Sequence, residues 1–578
     1  MISRRALPAL LLGALGVCGV VNGLSAAEVT AARASAAAKP VATVASHHAA
    51  IASAHPEATA AGLEVLRAGG NAFDAAVAVA AALGVVDPAG SGLSGGGFFL
   101  LHRARDGKDI LIDAREVAPG AASRDMFLDA AGNPVPRLSM DSALGAGIPG
   151  EPAGMALVAA RYGRLPAAQS LAPAIRLARQ GFALTPRLRA ELEARQHKFA
   201  DTPDVARNFL RKGAVPELGV IIRQPELANT LESLAKNGLD SFYRGELARR
   251  VVAGVRSLGG IWTEQDLAAY RAIEREPLVA QYRGARIVSA PPPSSGGLGL
   301  IEGLNILSNF DLGAVDALTR KHLIIESERR LHRDRALYLG DPDFVSVPVA
   351  RLTSPDYAAG LAASIHSAHV LPSANLPGIG AGAAQGPQTT HFSIIDGEGN
   401  RVAATLTLNF SFGSGLMVSG TGMFLNNEMD DFSMKPGVPN GYGLVGQEAN
   451  AIAPGKRMLS SMTPTFVETP DKVMVVGSPG GSFIIGMVLF ATLDFLDGRS
   501  AAQIVGAPRI HHQYLPDVLM TEPGALTDAE RTALQALGHT VQEGNRRWGN
   551  LQVVIQERAS GAFDAAADPR GDGVAKIQ

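Results

Sequence analysis

The arrangement of apolar residues changes near residue 389 and divides the chain into two parts. Upstream, apolar residues recur at helical intervals, which predicts helices over residues 56–69 and 71–83. The second segment is rich in Ala and Val on every face, so we expect it to be buried nearly all round. Downstream, strand-like patterns dominate through Val476, and a helix is predicted at 483–496. Shorter periodic segments predict further helices over 172–180, 224–237 and within 302–339, and strands over 98–102, 109–112 and 473–476.

A β-hairpin is predicted directly after this change. Residues 371–388 have no periodicity and are rich in Gly, Ala and Pro, which is typical of an exposed, cleavable linker. Strand-like segments at 391–395 and 402–409 then flank a turn sequence. If the hairpin is symmetric about Glu398, Thr389 faces Thr407, and Asn409 lies on the same face. A β-bulge would shift this register by one residue.

Composition indicates a well-buried globular protein. The 578 residues would allow about three or four ordinary domains by length alone. Apolar residues make up 47% of the chain and charged residues 18%, with a net charge of −2. No basic tract is interleaved with aromatic residues, so the sequence gives little support to nucleic-acid binding.

The N-terminus has the pattern of a cleavable signal peptide. Arg4 and Arg5 precede an apolar run, and small residues precede Glu28. A membrane anchor is disfavoured because the run is short and contains Pro8 and several glycines. We therefore expect removal of residues 1–27, no stable membrane anchor, and a periplasmic or secreted protein, by either the general or the twin-arginine route. Removal changes the net charge to −4 and takes the single cysteine, Cys18, which excludes disulfides and thiol catalysis.

Thr389 is the candidate nucleophile. A threonine hydroxyl needs an adjacent base, and the residue's own α-amino group, with a reference pKa of about 7.7–8.0, is an economical one. That amine exists only if the Gln388–Thr389 bond is cut, so the chain would have to cleave itself. Threonines are also common in strands, and a Thr389–Thr407 pair that serves strand formation alone is the alternative.

Charged and hydroxyl side chains elsewhere are candidate ligand-binding groups. Three carboxylates between Glu428 and Asp431 require a cation, either a metal or an ammonium group, unless they form a solvated loop. Their spacing does not match a calcium loop. Arg115 could bind a carboxylate through its planar fork, or it could pair with a neighbouring acid at the surface. Ser460 and Ser461 could bind the same carboxylate.

A glycine-rich loop at 478–482 joins a predicted strand to a predicted helix. Backbone N–H groups at a helix N-terminus bind anions, and beside a nucleophile they would stabilise the oxyanion of acyl transfer. The loop lacks the lysine of a nucleotide-phosphate site.

Metal binding has no support in the sequence pattern. The adjacent pairs His47-His48 and His511-His512 would point to opposite faces of a strand, and neither has the companions of a zinc site. We expect no metal and no cofactor.

Taken together, these motifs resemble the γ-glutamyltransferase family. The resemblance covers roughly residues 42–572, with its motifs in the family's order and spacing. The segments that carry it are TTHFS at 389–393, TLN at 407–409, LNNEMDDFS at 425–433, LSSM at 459–462 and GSPGGS at 477–482, with further matches at 91–98, 113–116, 339–342, 507–512 and 568–570.

The resemblance implies an α+β fold of the N-terminal nucleophile hydrolase type, a four-layer αββα sandwich. It also implies self-cleavage into a large subunit, residues 28–388, and a small catalytic subunit, residues 389–578. The roles it implies are these: Thr389 as nucleophile supported by Thr407; Gly480 and Gly481 as oxyanion donors; Arg115, Ser460 and Ser461 for the α-carboxylate of a γ-glutamyl group; and Asn409, Glu428 and Asp431 for its α-ammonium.

The implied reaction is acyl transfer. Thr389 would form an ester with the γ-glutamyl group of glutathione or a related compound and pass it to water or to an amino-acid or peptide amine. The loop at 439–446 resembles a lid that covers the glutamyl pocket with a tyrosine, here Tyr442, which favours small γ-glutamyl donors. A cephalosporin or glutaryl acylase of the same fold and a catalytically inactive binding homologue are the alternatives. The donor, the acceptor and the oligomeric state stay open.

Overall fold

Two antiparallel sheets form the middle of the molecule. The computed structural model describes residues 49–200, 202–376 and 389–578. The predicted signal peptide, the pair His47-His48 and Gln388 lie outside these ranges. The strands are β1 (Ala50–Ser53), β2 (Gly96–Arg103), β3 (Lys108–Ala114), β4 (Phe182–Ala183), β5 (Ile221–Ile222), β6 (Ile273–Arg275), β7 (Leu278–Tyr282), β8 (Ala285–Ser289), β9 (Thr390–Ile395), β10 (Arg401–Thr407), β11 (Met417–Val418), β12 (Met423–Phe424), β13 (Thr465–Glu468), β14 (Lys472–Gly477), β15 (Ile510–His511), β16 (Leu519–Thr521), β17 (Val541–Glu543), β18 (Gln552–Glu557), β19 (Phe563–Ala567) and β20 (Val574–Ile577).

The first sheet has seven strands in the order β20-β1-β9-β10-β2-β3-β6, and the second has six in the order β19-β18-β14-β13-β8-β7. The α-helices are α1 (Pro56–Arg67), α2 (Ala72–Val86), α3 (Leu138–Asp141), α4 (Glu151–Tyr162), α5 (Ala167–Gln180), α6 (Pro186–Ala200), α7 (Pro203–Phe209), α8 (Pro225–Asn237), α9 (Glu246–Ser257), α10 (Glu264–Ala269), α11 (Gly296–Leu307), α12 (Ala317–Tyr338), α13 (Val349–Leu352), α14 (Pro355–Ala362), α15 (Ile484–Leu496), α16 (Ala501–Gly506) and α17 (Asp528–Ala536).

The elements stack in four layers. Helices α1, α2 and α4 pack on the outer face of the first sheet, and α11, α15 and α16 pack on the outer face of the second. Along β2, Phe98 and Leu100 point into the core shared by the two sheets, whereas Phe99 and Leu101 face the first helical layer. Since alternate residues of a strand point to opposite faces, a strand covered on both sides must be apolar throughout. The predicted αββα sandwich is therefore confirmed.

Helix α2 illustrates how closely the apolar pattern determines burial. Asn71 caps it by accepting hydrogen bonds from the N–H groups of Phe73 and Asp74, and the Asp74 carboxylate accepts from the Asn71 N–H in return. Every residue of the helix except Gly84 is buried. The predicted all-round burial of this segment is confirmed.

The hairpin has the predicted register. Arg401 pairs with Ile395 and Leu406 with Thr390, which is the symmetry about Glu398 expected without a bulge. The strand prediction for residues 402–409 is wrong at its end, because β10 stops at Thr407 and Asn409 has a φ of 77°. Asn409 therefore does not follow the strand's alternation, although it still reaches the same pocket.

The expectation that strands dominate from residue 389 to 476 is also wrong in part. Between β10 and β13 the described chain contains two-residue strands and 3₁₀ turns rather than a continuing sheet. Side chains satisfy backbone groups here: the Asn426 amide oxygen accepts from Gly147 N and Glu428 N, and its amide nitrogen donates to Ser94 O and Gly147 O. Such bonds replace the ladder that a strand would need.

Within the described ranges, no helix combines the length and the apolar character that crossing a bilayer requires.

Candidate active site

The predicted site residues meet in one small pocket of about 20 Å³. It lies where β10 ends and α15 begins. Thr389, the residue directly before β9, is part of its lining. Its lining consists of Arg115, Thr389, Thr407, Asn409, Glu428, Asp431, Tyr442, Leu444, Ser460, Ser461, Met462, Gly481 and Ile484.

Thr389 and Thr407 are in hydrogen-bond contact, as the hairpin register predicts. Their Oγ1 atoms are 3.3 Å apart, and both residues are buried. The Thr407 hydroxyl also accepts from the backbone N–H of Asn409 at 2.8 Å. A hydroxyl can accept that bond and still either donate to Thr389 or accept from it, so the contact between the two threonines can form in either direction.

Arg115 is the buried cation of the pocket. It pairs with Glu428 and, at 2.5 Å, with Asp431, and its Nε donates to the carbonyl of Met458 at 3.2 Å. A carboxylate oxygen of Glu116 lies 3.5 Å from a nitrogen of the same guanidinium. Both alternatives to a binding site, a surface ion pair for Arg115 and a solvated acidic loop, are wrong because Arg115, Glu428 and Asp430 are buried and only 12% of the Asp431 side chain is exposed.

The carboxyl groups around Arg115 have raised pKa values. Burial raises the pKa of Glu428 to about 7 while Arg115 opposes that rise, and burial likewise raises the pKa of Asp431. The pKa of Glu116 is well above its usual value, first through burial and then through repulsion from Glu428. Within the described structure, neither Glu116 oxygen and only one Glu428 oxygen has a hydrogen-bond partner. Several carboxylate oxygens around the Arg115 guanidinium therefore remain available to accept hydrogen bonds.

Ser460 and Ser461 line the same pocket, on a loop that Ser295 holds through hydrogen bonds. Ser295 donates from its N–H and its hydroxyl to the carbonyl of Ser460, at 2.8 and 2.6 Å. Arg335 of α12 donates from Nε to that Ser295 hydroxyl at 3.0 Å. Arg335 is buried, and its charge opposes the rise in the pKa of Asp431. Sequence reasoning missed Arg335, since only its place on a buried helix face distinguishes it from other arginines.

Tyr442 lines the pocket and is held in place by its neighbours. Its hydroxyl donates to the carbonyl of Asn409 at 2.7 Å, and its ring stacks on Phe410 with centroids 4.4 Å apart. Asp430 fixes the same loop, since its carboxylate accepts from the N–H of Gly441 at 2.8 Å and from the hydroxyl of Ser139 at 2.6 Å. Asp430 had no role assigned from sequence, and its neighbours Glu428 and Asp431 face the pocket instead.

Gly480 and Gly481 form the turn that leads into α15. Their φ angles are 146° and 53°, in the region that favours glycine. A Cβ at Gly480 would also approach the terminal methyl of Met487 to 2.5 Å. Gly481 lines the pocket and Gly480 directly precedes it. All predicted site residues within the described ranges are thus on or next to one pocket.

A threonine directly before an inner strand of an αββα sandwich is the arrangement of N-terminal nucleophile hydrolases, and this protein is one of them. The sequence profile of the family described as "Gamma-glutamyltranspeptidase" matches residues 58–577. The chain belongs to the γ-glutamyltranspeptidase family and is an enzyme of that type.

Individual relatives are similar over most of this chain. The "Glutathione hydrolase proenzyme" of Escherichia coli (strain K12) is 42% identical over 528 residues, which is 90% of this chain and 90% of that protein. The crystal structure of a cephalosporin acylase from Bacillus halodurans superposes with a TM-score of 0.81 at 29% identity, covering 94% of this chain and 98% of that chain. A chain from the crystal structure of Helicobacter pylori γ-glutamyltranspeptidase superposes with a TM-score of 0.55 at 40% identity. The match covers 58% of this chain and 95% of that chain.

Proposed function

We propose that this enzyme cleaves itself before Thr389 and then transfers γ-glutamyl groups from glutathione or related compounds to water or to amines. The observation that carries the proposal is the ion pairing of Arg115 with Glu428 and Asp431 beside the Thr389 hydroxyl. These side chains carry a positive charge and negative charges, which complement the α-carboxylate and the α-ammonium group of an amino acid.

A γ-glutamyl substrate would replace the ion pairs between Arg115 and the two acids with ion pairs to its own α-substituents. Its α-carboxylate takes the Arg115 guanidinium and the hydroxyls of Ser460 and Ser461, while its α-ammonium takes Glu428 and Asp431. Each buried charge is then paired in both states, so the cost of desolvating the substrate is offset. An acyl group lacking either α-substituent leaves one of these groups unpaired, which disfavours its binding.

Self-cleavage would use the same hydroxyl. Thr389 Oγ1 attacks the carbonyl carbon of Gln388, its proton passes to the departing amide nitrogen, and the chain is joined for a time through an ester. Water then hydrolyses that ester and releases a free α-amino group on Thr389. The hydrogen bond with Thr407 would hold the hydroxyl oriented through these steps.

In turnover, the free amine acts as the general base. It takes the proton of Thr389 Oγ1 as that oxygen attacks the γ-carbonyl, and it gives the proton to the departing amine. Backbone N–H groups of Gly480 and Gly481 would stabilise the oxyanion. The resulting γ-glutamyl ester passes to water or to an acceptor amine, so the kinetics are ping-pong.

An acylase is the second candidate function because of the high structural similarity to the cephalosporin acylase. Two matched anilides separate the functions: γ-glutamyl-p-nitroanilide and glutaryl-p-nitroanilide, which lacks the α-amino group. We expect kcat/KM to favour the γ-glutamyl compound by about 10⁴-fold, the discrimination typical of a site built to hydrogen-bond the missing group. Equal rates would identify an acylase, and no turnover of either compound would identify a binding homologue.

We further propose that residues 1–27 direct export and are removed. The support is the basic, apolar and small-residue pattern of that segment. Mass analysis of the large fragment from the periplasm or medium should give a start at Glu28, and a cytoplasmic full-length chain would contradict export.

A further inference from the structure

A second cluster of chemically active side chains lies on α12, away from the substrate pocket. His322 and Glu326 are one helical turn apart and face the same side. His539 joins them from the segment after α17. One ligand atom from each residue lies within 4.8 Å of the other two, and all three residues are buried.

The hydrogen bonds of His322 fix its tautomer. Its Nε2 lies 2.8 Å from the backbone carbonyl of His366, which can only accept, so Nε2 carries the hydrogen. Nδ1 therefore accepts the hydrogen of His539 Nε2, 2.8 Å away, and this hydrogen would have to move to Nδ1 of His539 before both facing nitrogens could bind an ion. Orientation of a histidine by a carbonyl on its far nitrogen is the usual support for a metal-binding imidazole.

Two polar atoms of the cluster are left without hydrogen-bond partners among the described residues. They are Oε1 of Glu326, whose nearest charged group is Arg329 Nε at 3.5 Å, and Nδ1 of His539, the ring nitrogen that does not contact His322. Both atoms belong to side chains that are almost fully buried, and buried groups of this kind normally have partners.

From this arrangement we infer that His322 Nδ1, His539 Nε2 and Glu326 Oε1 bind a divalent transition-metal ion of the Zn²⁺ class. Two imidazoles and a carboxylate are ligands that zinc accepts, whereas calcium and magnesium prefer oxygen alone. Tetrahedral zinc with Zn–N bonds of about 2.0–2.1 Å places two nitrogens roughly 3.3 Å apart. The rings therefore need to separate by about 0.5 Å.

Charges around the cluster limit the affinity. Arg330 binds the second oxygen of Glu326 at 2.8 Å, and Arg329 Nε lies 3.5 Å from the first. Asp517 offsets Arg329 through a 3.0 Å ion pair. His322 and Glu326 precede the proposed cleavage bond and His539 follows it. A bound ion would therefore also join the two fragments and stabilise the folded pair.

The test is Zn²⁺ binding to the mature, untagged protein after treatment with EDTA. Equilibrium dialysis followed by elemental analysis should give one Zn²⁺ per pair of large and small fragments. His322→Gln and His539→Gln should each weaken binding by at least about 100-fold, since each removes a ligand. Hydrolysis of γ-glutamyl-p-nitroanilide by these variants verifies that they fold. Zn²⁺ should raise the thermal unfolding midpoint of the wild type and leave both variants unchanged.

The exposed, stacked pair of His366 and His369 provides the matched control. A double variant, His366→Ala with His369→Ala, keeps the backbone carbonyl that supports His322 and should bind Zn²⁺ as the wild type does. Binding lost only in this double variant would place the metal at the surface. That result would overturn the inference. Equal Zn²⁺ binding by all variants would also overturn it, as would a wild type that binds no Zn²⁺.

Discussion

The guanidinium of Arg115 lies 2.5 Å from the carboxylate of Asp431, and both groups line the pocket that Thr389 also lines. Glu428 occupies the other side of the same guanidinium. Without substrate, the groups proposed to recognise the two α-substituents of glutamate pair with one another. The pocket can therefore be buried and almost closed without isolating a charge, and specificity arises when a substrate replaces this pairing.

Arg115→Met should lower kcat/KM for γ-glutamyl-p-nitroanilide by about 10²–10⁴-fold, since each hydrogen bond to a charged group contributes about 1.5–3 kcal/mol. The loss should be much smaller for 4-aminobutyryl-p-nitroanilide, which lacks the α-carboxylate. Arg124→Met removes a partly exposed arginine paired with Glu448 and should leave both rates unchanged. Equal losses for the two anilides would show that Arg115 does not bind the carboxylate.

The pH dependence should reveal Glu428. Its folded pKa of about 7 is above the reference of 4.5, so it is protonated at pH 5 and ionised at pH 8. Only the ionised form neutralises a substrate ammonium, so kcat/KM should rise with pH through about 7. The Thr389 amine must also lose its proton in this range. Below pH 6, log(kcat/KM) should therefore rise with a slope near 2.

Glu428→Gln removes one of these two titrations and should reduce the slope to about 1. The same raised pKa favours the folded state at low pH, an effect fully present below about 4.5 and lost as pH rises through 7. The free energy of unfolding of the variant should therefore fall less than that of the wild type between pH 5 and 7. An unchanged slope in Glu428→Gln would assign the titration to other groups.

Thr407→Val keeps the size of the side chain but removes its hydroxyl from Thr389 and from the Asn409 N–H. We expect kcat to fall by about 3–10-fold, the value of one hydrogen bond, together with slower self-cleavage. Thr407→Ser keeps the hydroxyl and should retain most of both activities. Wild-type cleavage and turnover in the valine variant would show that the pair serves only the hairpin.

Tyr442 should limit the size of the acyl group. Tyr442→Phe loses the bond to the Asn409 carbonyl but keeps the stacking on Phe410, so KM for the γ-glutamyl anilide should rise only about 5-fold. Tyr442→Ala uncovers the pocket and should raise the relative kcat/KM for a γ-linked diglutamyl anilide over the single γ-glutamyl compound. If that ratio does not change, Tyr442 does not act as the cover.

Local patterns predicted the fold best where one periodicity determined burial. Helix α2 follows from its Ala/Val composition, and the β9–β10 register follows from turn residues that permit a symmetric hairpin. The residues of the site came from a resemblance between motifs, and the structure brings those within its described ranges onto or beside one pocket. The end of β10 was mispredicted because Asn409 adopts a positive φ that strand periodicity does not reveal.

The remaining features depend on residues that are distant in the sequence. Arg335 supports the Ser460 loop through Ser295, and nothing in its own segment indicates that contact. His322 and His539 are 217 positions apart and meet only through the packing of α12. Side-chain chemistry of this kind becomes visible only when the tertiary contacts are known.

The most direct test of the central claim is the intact mass, after denaturation, of the purified mature protein beside its Thr389→Ala variant. The wild type should give two fragments, the smaller beginning at Thr389, and the variant should remain a single chain. A wild-type chain that stays whole would have no free threonine amine to act as base and would contradict the account. Cleavage of the variant at the same bond would equally exclude Thr389 as the self-processing nucleophile.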